Sequence, residues 1–164
     1  MAEVHDWDDD WDDDDDTPIG PARSEEVEFY IYDTGVGWAE LDVSVGRVDG
    51  QYGFSLIWDP LHDIRRFQLE LSAGRTAQMT LRGEPGAVEV LAEPDQPEGW
   101  VRLRIWLIDY KDDRELDLEA FCPAQTMAES LRSKTGFLAV EQRADPPRSL
   151  WRRFYDWLHD AKLD

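Results

Sequence analysis

The sequence predicts an α+β fold: an antiparallel sheet of about seven strands with helices packed on one face, in the order β-β-β-α-β-β-β-β-α-α. Three observations predict it. Stretches of alternating apolar and polar residues recur along the chain. Turns rich in Gly, Pro and Asp separate them. Three other stretches carry the helical period with their own start and stop residues.

Val27 to Tyr32 is the first strand, with Val27, Phe29 and Ile31 on one side. Asp33 to Gly37 is a turn. Trp38 to Val45 follows, with Ala39, Leu41, Val43 and Val45 inward and Glu40, Asp42 and Ser44 outward. After the loop Gly46 to Gly50, Gln51 to Trp58 returns with Tyr52, Phe54, Leu56 and Trp58 on one face. Asp59 caps a helix that has Pro60 at its first position, and Gly74 stops it. Residues 60–73 also allow a strand, because Phe67, Leu69 and Leu71 alternate; the start and stop signals favour the helix.

Strands are expected over Thr76 to Arg82 and Ala87 to Ala92, around the Gly83-Glu84-Pro85-Gly86 turn. Glu93 to Gly99 reads as a loop. Trp100 to Tyr110 is the longest strand, with Val101, Leu103, Ile105 and Leu107 inward. Glu115 to Phe121 pairs back, with Leu116 and Leu118 inward. Pro123 opens a helix bearing Met127, Ala128 and Leu131, with Gly136 as its C-terminal cap. Phe137 to Val140 is a short apolar run. Ser149 caps a last helix with a stripe of Leu150, Phe154, Trp157, Leu158 and Ala161.

The charge is unevenly spread. The 164 residues include 37 acidic and 17 basic ones, a formal net charge of -20. Residues 1 to 26 hold twelve acidic residues against Arg23 alone, so more than half of that charge lies in about a sixth of the chain. Residues 1–25 are therefore expected to be a disordered acidic tail, and 26–164 a single α+β domain. Trp7 and Trp11 interrupt the tail as two apolar anchors. Such a charge repels phosphate, which argues against nucleic acid as a partner. No apolar run reaches the roughly 20 residues of a membrane span, and no secretory leader is recognisable, so a cytoplasmic location is expected.

The candidate chemistry is sparse. Asp33-Thr34-Gly35 matches the tripeptide of aspartic proteases, whose mechanism needs two such Asp sharing a proton. A single copy would require a homodimer, and the tripeptide is equally good turn chemistry. Each of the three His precedes an Asp, but no two-His metal spacing exists. Cys122, the sole cysteine, precedes a helix start and reads as a small buried residue. No phosphate loop and no GxSxG elbow is present. No catalytic residue, cofactor or metal is expected.

What remains is binding. Trp100, Arg102, Arg104 and Trp106 share the outer side of one strand, which allows Arg to lie over Trp. Outward carboxylates are expected at Glu40 and Asp42 and in the cluster Asp109, Asp112 and Asp113. Together with Trp7 and Trp11 these are the candidate protein-binding residues. The expectation is a non-enzymatic acidic binding module that neutralises a basic protein partner, as an immunity protein neutralises a nuclease toxin. The alternatives are a homodimeric aspartyl hydrolase using Asp33, and a structural or scaffold domain with a solubilising tail.

Overall fold

The computed structural model describes residues 20–136. Trp7, Trp11, the run Phe137 to Val140 and the last helix expected from Ser149 lie outside the described residues.

The alternating segments build two sheets, and this corrects the single sheet of about seven strands. Strands β2 (Val27–Gly35), β3 (Trp38–Val45) and β4 (Val48–Ser55) form a three-stranded antiparallel meander. Strands β5 (Ala77–Gly83), β6 (Gly86–Asp95), β7 (Trp100–Ile108) and β8 (Arg114–Pro123) form a second one. A two-residue strand, β1 (Ala22–Arg23), pairs in parallel with β8, giving the order β1-β8-β7-β6-β5. Ala22 is buried there, so the chain joins the fold within the segment that composition alone assigns to the tail.

The split arises after β4. The Ser55 hydroxyl accepts the Ile57 N–H and opens a short 3-10 turn over Leu56–Trp58. Asp59 then takes the left-handed conformation, at φ 51°. The expected strand therefore ends at Ser55, and Trp58 is 53% exposed instead of facing inward. Asp59 is not the helix cap; Pro60 holds that position without a side-chain hydrogen bond. Helix α1 (Leu61–Ser72) follows, and its Ile64, Phe67 and Leu71 are buried. Gly74, at φ 67°, ends it as its position predicts. Among the described strands, β5 then pairs only with β6.

Each sheet turns one apolar face inward, and the two faces share one core with α1 and α2 (Ala124–Lys134). The helices touch each other, with α1 against β5 and α2 against β2. Phe29 of β2 stacks on Phe67 of α1, with ring centroids 5.8 Å apart and planes 18° apart. Helix α2 ends at an extended Thr135 and not on the glycine cap expected at Gly136.

That ending has a structural use. Among the described strands β2 lies at an edge, and an edge leaves backbone N–H groups without a ladder partner. The Phe29 N–H donates to the Ser130 hydroxyl and the Ile31 N–H to the Thr135 hydroxyl, each at 2.9 Å and both buried. Ser130 of helix α2 and Thr135 at its C-terminal cap thus seal this edge.

A β-bulge decides the register of β8. Ile105 faces Leu118, but Trp106 faces Leu116, so Asp117 is the extra residue. The bulge moves Leu116 off the inner face, where alternation places it; it is 47% exposed. No helix among the described residues is long and apolar enough to cross a membrane.

Candidate functional site

The inner face of the five-stranded sheet runs on past the core at the β7–β8 end. A cleft of about 650 Å³ opens there between the two sheets. Its apolar floor includes Val88 and Leu107, and Trp38 and Tyr52 line it from the three-stranded sheet. Leu107 is 39% and Trp38 36% exposed. Its rim is acidic, with Glu84, Asp109, Asp113, Glu115 and Asp117. Arg114 also lines the cleft, but its guanidinium is paired with Glu89. Among the described residues, none of the five rim carboxylates is in an ion pair.

Local sequence shapes this mouth. In the β7–β8 turn, Asp109 Oδ1 accepts the N–H groups of Lys111 and Asp113. Asp112 adopts a left-handed φ of 64°. Asp109 is therefore the brace of the turn, and Asp113 is held at the rim. In the β5–β6 turn, a Cβ on Gly86 would collide with the Ile108 carbonyl oxygen, so only glycine allows this close approach. At the back, the Tyr52 hydroxyl donates to Asp117 Oδ2 at 2.7 Å and ties the sheets together. Burial and this carboxylate push the Tyr52 hydroxyl far above its ordinary range, so it remains a neutral donor. The Tyr52 ring lies over Gly50, where a Cβ would strike it.

The other expected site residues fall on two separate surfaces. Glu40 and Asp42 face outward from the three-stranded sheet as predicted, beside a smaller concavity of about 260 Å³ lined in part by Tyr30 and Asp42. Asp42 accepts the Tyr30 hydroxyl at 2.9 Å, and Glu40 the Tyr32 hydroxyl at 2.5 Å. The hydrogen bond to Glu40 leads the causes that push Tyr32 up to about 12 from the usual 10.0. The folded chain holds this proton more tightly than the unfolded one. Its contribution to stability is therefore complete below pH 10.0 and is lost as pH rises toward about 12. Replacing Glu40→Gln is expected to bring Tyr32 back toward 10.0, read from phenolate absorbance in an alkaline titration. An unchanged Tyr32 titration would refute the assignment.

Trp100, Arg102, Arg104 and Trp106 lie on the outer face of the five-stranded sheet, as alternation predicts. The ladder is larger than four residues. Arg104 and Arg114 lie 5.1 and 4.8 Å from the Trp106 ring centroid. Arg23 lies 4.8 Å from Trp100 and 5.5 Å from Phe121. Carboxylates answer three of these cations: Glu119 and Glu93 from adjacent strands for Arg102 and Arg104, and Glu89 of β6, across β7, for Arg114. Among the described residues, no hydrogen-bond partner reaches the buried Arg104 Nε.

Asp33 lies at the end of β2, where its Oδ1 accepts the Gly35 N–H at 2.7 Å; the turn itself is Val36 and Gly37. Cys122 is buried beside Met127, and burial pushes its thiol up to about 12. Among the described residues no group of three or more His, Cys, Asp or Glu could hold a metal ion. Reading the sequence missed Trp38, Tyr52, Glu84, Glu115 and Asp117 as partners of Asp109 and Asp113. The Gly-Glu-Pro-Gly turn was the available signal, since it ends a hairpin beside the acidic β7–β8 turn. No family model matches the chain, and neither does any curated protein or solved structure.

Proposed function

We propose that this chain is a non-enzymatic acidic protein-binding module that neutralises a basic protein in the cytoplasm, as an immunity or inhibitor protein does. The observation that carries the reading is the mouth between the sheets. It combines an apolar floor with a rim of carboxylates that no cation answers among the described residues. Apolar contact supplies slow release, and unpaired like charge supplies attraction at a distance and discrimination against acidic proteins. The acidic face carrying Glu40 and Asp42 extends the same field; there Tyr hydroxyls occupy both carboxylates, whereas in the mouth Glu84, Asp113 and Glu115 accept no side-chain hydrogen bond among the described residues. The occupant that fits the mouth is a segment carrying Arg or Lys next to an apolar residue.

A short oligo-arginine peptide with one central Leu probes this directly, with the fluorescence of Trp38 at the rim as one reporter. Saturable binding that weakens with salt is expected. In the Glu84→Gln, Asp113→Asn, Glu115→Gln variant, affinity should fall at least about tenfold, since each ~1.4 kcal/mol lost corresponds to that factor. Asp109 is spared because it braces the turn, and Asp117 because it holds the Tyr52 hydroxyl that ties the sheets together. Equal affinity in the two proteins would refute the mouth as the binding site.

A further inference from the structure

We propose that the acidic segment 1–19 docks in cis on the Arg–Trp face of the five-stranded sheet. Three observations converge on this pairing. The first is charge. Residues 1–19 carry Glu3 and nine Asp with no Lys or Arg. The outer face of the sheet holds Arg23, Arg102, Arg104 and Arg114, and Arg23 is in no ion pair among the described residues. Its guanidinium instead donates to the Gln96 carbonyl. The other three retain N–H groups beyond those given to their carboxylates, because a guanidinium offers five donors.

The second observation is the point of attachment. β1 runs parallel to β8, with Ala22 beside Ala120 and Arg23 beside Phe121. Chain direction then brings the polypeptide into β1 from the end of the sheet that carries Arg114 and Trp106. Asp12 to Asp16 stand only four to eight residues before Gly20. At roughly 3.3 Å per extended residue, they reach the whole width of this face. Tethering of this kind makes the encounter intramolecular and raises the effective concentration to about the millimolar range.

The third observation is the chemistry of the rungs. Trp100, Trp106 and Phe121 are half-buried, and no described helix packs over them. Trp7 and Trp11 punctuate the acidic run and present ring faces to such a surface. Three of the four arginines are paired with Glu119, Glu93 and Glu89, which leaves Arg23 as the cation that an acidic segment meets first. Occupation of this face in cis leaves the acidic mouth at the opposite sheet face free for a cationic partner. Docking of the segment is independent of that partner's identity.

The test uses the full chain. A nitroxide is attached through Asp9→Cys; the buried Cys122, with its thiol pushed up to about 12, does not compete for the label. Indole N–H signals are then compared with those of the reduced, diamagnetic sample. Loss of intensity is expected for Trp100 and Trp106 and not for Trp38 in the mouth. The signals should recover as added salt shortens the screening length from about 30 Å near 0.01 M to about 3 Å near 1 M. The Arg23→Gln variant should show a smaller loss at low salt. Equal loss at Trp38 and Trp106, or a loss that salt does not relieve, would overturn the proposal. So would a loss that disappears on dilution, which would place the segment on a second copy. No loss at either ring would mean that something else covers the face, and this too would overturn it.

Discussion

Phe67→Ala is expected to destabilise the protein by about 3–5 kcal/mol. Phe67 and Phe29 are both fully buried and stack on each other. The pair joins an edge strand of the three-stranded sheet to the helix that connects the two sheets. Truncation removes transfer free energy and leaves a cavity between elements that cannot collapse independently. In urea unfolding the midpoint should fall at an unchanged slope. A Phe29→Leu, Phe67→Leu double-mutant cycle should return a coupling of roughly 0.5–1.5 kcal/mol, characteristic of packed rings. A loss below about 1 kcal/mol for Phe67→Ala would mean that the helix and sheet do not share one core.

Thr135→Val should cost about 1–3 kcal/mol although it changes side-chain volume very little. The buried Ile31 N–H would lose its acceptor and gain none, because β2 has no second neighbour strand among the described residues. Ser130→Ala should act in the same way on Phe29. Hydrogen exchange distinguishes this from a general loss of stability. The Ile31 amide should exchange faster in Thr135→Val and regain protection in Thr135→Ser, which keeps the hydroxyl. Unaltered protection in the Val variant would show that the hydroxyl does not serve this amide.

Both effects concern positions whose roles are poorly visible in the amino-acid order. Phe67 can be read on a helix or a strand, and only the flanking Asp59-Pro60 and Gly74 favour the helix. That choice is correct, yet Asp59 itself adopts a left-handed conformation and closes the 3-10 turn before the helix instead of capping the helix. Ser130 and Thr135 carry no sequence signal at all. Their partners lie 101 and 104 residues earlier in the chain. Leu116 shows a further limit. Alternation puts it inside, and one extra residue at Asp117 puts it out. Period-two reasoning assumes an unbroken ladder, and a bulge breaks the ladder without leaving a mark in the local pattern.

The candidate site divides in the same way. Outward placement of Glu40, Asp42, Trp100, Arg102, Arg104 and Trp106 follows from strand alternation and is what the structure shows. The carboxylate partners of the arginines do not follow, because strand order and register bring together residues up to 25 positions apart. Asp109 and Asp113 belong to one rim with Glu84 and Asp117 because two hairpin ends and a bulge converge there.

The order of residues by itself determined the α+β class, the antiparallel hairpins, the inward and outward sets of most strands, and the acidic excess with its concentration near the start of the chain. These depend on backbone geometry and on summed charge, which nearest neighbours and composition express directly. Tertiary structure alone decided that the strands divide into sheets of five and three, that α2 and its C-terminal cap seal β2, and that an apolar floor meets five carboxylates in one mouth. Those features depend on which distant segments exclude water from one another. That is a property of the packed chain, and no local stretch of sequence contains it.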